Sequence, residues 1–277
     1  MIYLVLAILS SACISLLMRI SGSYSKNQVS LLAFNYIICI LLSLFYSKGL
    51  SFNLTNGLKI SILLGGINGL FFLLGFVLLQ KNIMKNGVIL SSTFQKLGIV
   101  VPTLLTIFIF KEIPSVQQCV GLILAIICIF ILQFQKGEDK AENVFLLLTL
   151  LLVSGSADAM SKVFERIGDA TYQNEFLLII FLFAFVLCVL YALIRKEKVC
   201  KEDAFFGCII GIPNYYSARF LLKSLYSLPA ILVYPVYSVM TILVVSAFGI
   251  LLFKEKLKKK QVFALVGILC ALALLNG

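Results

Sequence analysis

The sequence predicts an all-α membrane protein of ten transmembrane helices arranged as two inverted five-helix repeats, and three observations lead there. Hydrophobic residues make up 61% of the chain and charged residues 13%, with a mean hydropathy of +1.09, far from the composition of soluble domains. The apolar residues come in long continuous runs, the helical signature, whereas the strands of a membrane β-barrel alternate. Finally, the segment ending Phe110-Lys111-Glu112 recurs as Phe253-Lys254-Glu255, and the same shift of 143 lays Gln118 on Gln261, Ser11 on Ser154 and Arg19 on Lys162. A half-protein that is duplicated with an odd number of spans per copy enters the bilayer upside down the second time, the build of many secondary transporters.

Runs close to the roughly 20 residues that cross a bilayer as helix fall at 2–19, 29–47, 58–80, 87–110, 116–135, 143–163, 173–194, 203–224, 229–253 and 260–276. The first lacks the basic segment that opens a secretory signal, its Arg19 and Lys26 coming after the apolar run, so it is expected to remain as a helix. The third carries Gly65-Gly66-x-x-Gly69 and Gly75, and the eighth Gly207-x-x-x-Gly211, a small-residue spacing that lets helices pack closely. The fourth carries Lys96, the sixth Asp158 and Lys162, and the eighth and ninth have internal Pro213 and Pro235. Short polar gaps such as Lys136-Gly-Glu-Asp-Lys140 and Arg195-Lys-Glu-Lys198 leave no room for a soluble domain. Residues 1–135 form the first expected repeat and 143–276 the second, in one integrated membrane domain.

The net charge of +11 would suggest nucleic acid in a soluble protein, but here sidedness explains it and no nucleic-acid partner is expected. Fifteen of the 23 Lys and Arg follow spans one, three, five, seven and nine, seven lie on the opposite side, and Lys96 stands apart. Cytoplasmic loops carry the positive excess, so the charges place both termini outside the cytoplasm. None of the eight cysteines forms a C-x-x-C pair, all but Cys200 fall within spans, and the chain has no histidine. They read as small apolar fillers, with no metal site and no cofactor implied.

The fourth span ending in Leu104-Leu-Thr-Ile-Phe-Ile-Phe-Lys-Glu112, followed by Gln118-x-x-Gly121, and the ninth-to-tenth junction with Glu255, Gln261 and Gly267 resemble the drug/metabolite transporter superfamily, in its ten-helix EamA-like branch. The resemblance covers the chain in span count and repeat layout, but its short motifs speak to architecture rather than to substrate. It implies a transporter rather than an enzyme. Members often carry Trp, and a Lys near the end of the first span; this chain has no Trp, and Arg19 takes the basic position. Members usually have both termini in the cytoplasm, opposite to what the charges of this chain predict.

Within the spans, Lys96 is the sharpest candidate, because a charge near the bilayer centre costs at least about 2.5–3.5 kcal/mol on insertion scales. Ser92, Lys96, Thr103 and Thr106 fall on one helical stripe, with Gln95 beside it, so the fourth span presents a polar face. Lys96 is either a structural lysine satisfied by backbone carbonyls or an acid, or the cation that attracts a solute. Asp158 is either the i,i+4 partner of Lys162 or a coupling or counter-ion site. Asn214, Tyr215 and Tyr216 on the eighth span and Tyr234, Tyr237 and Thr241 on the ninth, beside prolines that free backbone groups, are expected to line a cavity. Arg219 reads first as a cation reaching for the interface and second as one reaching the cavity, and Asn35 and Asn68 read as interhelical hydrogen bonds.

The function that follows is alternating-access transport of a small polar or amphipathic metabolite, carboxylate-bearing and amino-acid-like, with Lys96 holding its anionic group. The partners are that solute and membrane lipid. The chain is expected as a monomer or homodimer in a bacterial cytoplasmic membrane. A lipid-linked sugar flippase is an alternative on the same fold. A membrane-embedded lipid-modifying enzyme needs clustered acids, whereas the twelve acids here are scattered, and a channel needs ring-like selectivity elements.

Overall fold

The computed structural model describes residues 1–22, 24–25, 27–47, 55–86, 94–95, 97–133, 144–195 and 199–253, together with 263, 266–267, 270–271 and 274. Among these, every regular element is helical: α1 (Ile2–Ser21), α2 (Gln28–Tyr46), α3 (Asn56–Asn86), α4 (Val100–Phe108), α5 (Val116–Gln133), α6 (Val144–Ile167), α7 (Gln173–Arg195), α8 (Lys201–Leu225) and α9 (Ala230–Phe253). A 3₁₀ turn at Ala170–Tyr172 precedes α7. Four stretches are long and apolar enough to cross a membrane, Gln28–Tyr46, Asn56–Leu79, Val144–Ile167 and Ala170–Arg195. Their outward positions are apolar, with Phe45 80% and Leu193 68% exposed, as lipid rather than water would solvate them. The predicted tenth span and the basic loop Lys254–Lys260 lie outside the described residues, apart from the single positions named above.

The helices cluster into two compact units, Met1–Leu73 with Val163–Ser224, and Leu74–Lys162 with Leu225–Gly277. Each draws on both predicted repeats, the first unit through α1 and α2 with α7 and α8, the second through α4 and α5 with α9.

In the first unit α2 packs along α7. Its start is set by Asn27, whose side-chain oxygen accepts the amides of Val29 (2.9 Å) and Ser30 (3.3 Å), two of the donors a helix N-terminus leaves orphaned. Asp203, in the first turn of α8, accepts the Ser25 hydroxyl at 2.7 Å. Ahead of α7, Asp169 caps the 3₁₀ turn through the Thr171 amide at 2.8 Å. Hydrogen bonds from the Thr171 backbone and side chain hold the Asp169 carboxyl below the usual carboxylate range. A depressed carboxyl supports the fold above its unfolded pKa, and this support is lost as pH falls through the folded value.

Two glycine seams in this unit share one local geometry. A Cβ built on Gly65 of α3 would meet the Phe176 carbonyl at 3.1 Å and the Ile179 Cβ at 2.9 Å; on Gly207 of α8 it would meet the Leu31 carbonyl and the Phe34 Cβ (2.8 Å). One turn on, Gly69 faces the Ile180 carbonyl (2.7 Å) and Phe183 Cβ (2.8 Å), while Gly211 faces the Asn35 carbonyl (2.7 Å) and Ile38 Cβ (2.6 Å). In all four cases the neighbours are a carbonyl and the Cβ three residues later, so α3 lies on α7 as α8 lies on α2. The expectation that these glycines serve close packing is met at both seams.

A consequence is measurable. Gly211→Ala and Gly69→Ala push a methyl against rigid backbone, and each should lower stability by about 1–3 kcal/mol. Gly75, around which nothing lies within 4 Å, should accept alanine with a gain of up to about 1 kcal/mol. Thermal unfolding of the purified protein in detergent ranks the three; equal effects would mean the seams are not tight.

In the second unit α9 packs on α4 and α5, around a core of Leu97, Cys128, Val239, Ile242 and Ala271. Helix α5 opens with a reciprocal cap in which the Gln118 side chain accepts the Ser115 amide at 3.1 Å and the Ser115 hydroxyl accepts the Gln118 amide at 3.2 Å. The repeated glutamine noted in the sequence is thus, at Gln118, half of a capping box.

The continuous fourth span expected over 87–110 is interrupted. Phe94, Gln95 and Leu97 are helical, Gly98 and Ile99 form a turn, and α4 begins at Val100. Pro102 has no amide to offer the Gly98 carbonyl, which instead accepts from Val101 at 2.9 Å, while Gly98 donates to Gln95 at 3.2 Å. The broken turn nests against α6, where a Cβ on Gly155 would strike the Gly98 carbonyl and Val101.

Candidate functional site

The residues singled out in the sequence divide between the two units. Lys96 and Ser92 lie outside the described residues. Their neighbour Gln95 is half-buried, and its carbonyl is 3.4 Å from the Ser154 hydroxyl, which donates more closely to Leu150 at 2.7 Å.

Around the break in the second unit, Thr103 is buried and donates to the Ile99 carbonyl at 2.9 Å. Thr241 on α9 does the same to Tyr237 at 2.6 Å. Both hydroxyls thus return a proton to their own helix, keeping oxygen lone pairs as their outward chemistry. Tyr234 is 1% exposed and donates to the backbone carbonyl of Asp158 at 2.8 Å. A tyrosine buried in apolar surroundings needs such a partner; here it ties α9 to α6. Thr106 is fully buried, with no hydrogen-bond partner for its hydroxyl among the described residues.

The same unit holds an ion pair that sequence spacing does not reveal. Lys162 stands four residues after Asp158 on α6. In the structure its side chain is 3% exposed and its ammonium lies 2.8 Å from Oε1 of Glu112, while the Phe110 ring sits 5.8 Å below the charge. The chain reaches this position because Lys111 adopts φ 55, the left-handed region that glycine occupies more readily, and because the Glu112 amide then closes on the Thr106 carbonyl at 3.2 Å. The Lys-Glu motif that marks the repeat is therefore, at its first copy, a turn that delivers a carboxylate to a buried ammonium. The sequence carried half of the signal, since Lys162 needs compensation wherever it is buried.

In the first unit, Asn214 donates to Asn35 Oδ1 at 3.2 Å, and the Cys39 thiol donates to the Gly211 carbonyl at 3.3 Å. Asn35 thus makes the interhelical bond expected of it. Asn68 does not: it is fully buried, and neither atom of its amide has a partner among the described residues.

Tyr215 and Tyr216 belong to a larger constellation around Arg219. The guanidinium lies 3.9 Å over the Tyr46 ring and donates through Nη1 to the Tyr215 hydroxyl at 2.6 Å and to Asn174 Oδ1 at 3.0 Å. Asn174 in turn donates to the Tyr46 carbonyl at 3.0 Å, and the hydroxyls of Tyr46 and Tyr216 share a hydrogen bond of 3.0 Å. Tyr46 and Tyr215 stack at 6.0 Å and 10°. Tyr216 stacks on Phe220, and Phe220 on Tyr3, whose ring carries Lys223 5.1 Å above it. Arg219 is thus held by residues of α2, α7 and its own helix α8. The i,i+4 spacing of Tyr215 and Arg219 was visible; Tyr46 and Asn174 come from other helices and left no local trace.

Comparison with known proteins places this geometry. Residues 142–277 match the EamA-like transporter family, whose members belong to the drug/metabolite transporter superfamily. The chain is 26% identical over 291 residues to an uncharacterized protein of Haemophilus influenzae, with 96% of each covered. A crystal structure superposes with a TM-score of 0.76 at 13% identity, covering 99% of this chain and 94% of the other, a likeness of fold.

Proposed function

We propose that this chain, whose residues 142–277 belong to the EamA-like transporter family, is a secondary transporter that moves a small polar or amphipathic, carboxylate-bearing metabolite by alternating access. The observation that carries the reading is the interrupted fourth span. Irregular backbone at membrane depth is tolerated only where it is buried in protein or lines a cavity, and transporters put solute sites at such breaks. The break at Gly98–Ile99 follows Lys96 by two residues, and on this reading Lys96 is the cation that draws the solute's anionic group, with Ser92, Gln95 and Thr103 beside it. Tyr234, Tyr237 and Thr241 in the same unit orient the solute, and Asp158 serves as coupling or counter-ion group. Two inverted repeats, 1–135 and 143–276, supply the motion; the matched glycine seams, α3 on α7 and α8 on α2, are what a duplicated half would produce.

Proteoliposomes containing the purified chain test this against a panel of radiolabelled organic acids and their amides. Saturable movement of an acid, chemically unchanged on recovery, is expected. Chemical conversion of a panel compound, or no protein-dependent movement of any acid, would overturn the transport reading.

A further inference from the structure

We propose that the Arg219 constellation is a binding site for the carboxylate of a small organic acid with an apolar body. The proposal rests on the transport reading and adds to Lys96 a second, separate carboxylate-binding point, built on a cation whose first reading from sequence is the membrane interface. Three observations carry it.

The guanidinium has no ion-pair partner among the described residues. Yet it sits on α8 six residues before Leu225, about 9 Å along the helix from its end, where a bare charge is costly. It is half-buried, so a solute can reach it. Among the described residues its hydrogen bonds run through Nη1, which leaves Nε and Nη2 as a pair of donors unused by them, the edge of the guanidinium fork that matches a carboxylate with two parallel bonds.

The second observation is rigidity. Tyr46 fixes the guanidinium plane from one face, and Asn174 and Tyr215 fix its rotation. Asn174 is itself locked by the Tyr46 carbonyl, and Tyr46 by the Tyr216 hydroxyl. A cation needed only for solubility at the interface requires none of this; a recognition group benefits from preorganisation, because ordering it has been done before the ligand arrives. The third is the surroundings: Tyr216 and Phe220 stack at 5.5 Å and are half-buried, offering aromatic faces to the rest of the ligand.

The test uses the full-length chain in phosphatidylcholine nanodiscs, with benzoate, acetate and neutral benzamide as probes in calorimetric titration. Benzoate should bind, acetate at least threefold more weakly, and benzamide at least tenfold more weakly. Arg219→Gln should weaken benzoate tenfold or more, a change of about 1.4 kcal/mol. If that variant does not fold, Asn174→Asp decides the matter: it sets a carboxylate where Oδ1 now lies 3.0 Å from the guanidinium, an ion pair that offsets the lost bond from Nδ2 to the Tyr46 carbonyl, so it should keep the fold, as read by thermal unfolding, while competing with benzoate and weakening it tenfold. Benzamide binding as well as benzoate, or either folded variant binding benzoate within threefold of the parent, would overturn the proposal. So would benzoate binding that disappears when a third of the lipid is phosphatidylglycerol, which would mean a lipid phosphate holds the guanidinium. Benzoate binding by a protein that moves no solute would sink the transport reading and leave the site standing; solute movement by a parent chain that binds no benzoate would do the reverse.

Discussion

Glu112→Gln should be among the most destabilising single substitutions in this protein, costing about 3 kcal/mol. The amide keeps the shape of the carboxylate but removes a negative charge 2.8 Å from an ammonium whose side chain is 3% exposed, and a buried cation has little water to fall back on. The converse change is expected to be milder. Lys162→Met leaves the carboxylate of a side chain that is 21% exposed, which can turn its buried Oε2 toward water, and the methionine retains most of the lysine's length. The asymmetry is the diagnostic, since a surface pair would show two small and equal effects. The double variant should be no less stable than Glu112→Gln alone, because with the ammonium gone the charge no longer needs an acid. Thermal unfolding of the four proteins in detergent gives the cycle, and additive effects, or a larger loss for Lys162→Met than for Glu112→Gln, would mean that the pair is not a buried unit.

Lys96→Met should lower solute transport by an order of magnitude or more, a loss of about 1.4 kcal/mol or greater, while the protein still inserts and folds. Lys96 is the basic residue nearest the centre of a predicted span, and the position 143 residues later is the apolar Val239, fully buried in the core with Leu97 and Ile242. The repeat therefore does not itself demand a cation there, and a charge on one side of a duplicated scaffold suits a solute with one charged end. Normal transport by Lys96→Met, or failure only through loss of insertion, would make the lysine structural. Proteoliposome uptake alongside the thermal stability of the same sample separates these outcomes.

How far the site could be read in advance depended on whether its signals were local. The polar stripe of the fourth span, the tyrosines beside Pro213 and Pro235 and the Lys-Glu repeat all stand out along one chain segment. The interruption at Gly98–Ile99 left a legible mark in Pro102, but a proline near a helix start and one that breaks a span read alike until the position of the turn is known. Arg219 was underestimated because its partners, Tyr46 and Asn174, lie 173 and 45 residues away, and nothing in their own neighbourhoods points to a cation. Asp158 and Lys162 satisfied a local pairing rule, yet the ammonium also has Glu112 at 2.8 Å, because the left-handed turn at Lys111 brings it there.

Composition and periodicity were sufficient for the helical membrane character, because lipid forces backbone hydrogen bonds to close within each segment and so writes the fold class into hydropathy alone. The 143-residue shift was likewise visible, since recurring motifs in the same order are read directly along the chain. Tertiary structure decided the registers, the glycines of the two seams standing 142 residues apart and their partner carbonyls 145. It also decided which charges are paired, which hydroxyls turn back on their own helices and which cation keeps donors free. Those outcomes depend on which side chains from distant helices meet within about 3 Å, a distance at which hydrogen bonds and ion pairs form and about which sequence separation says nothing.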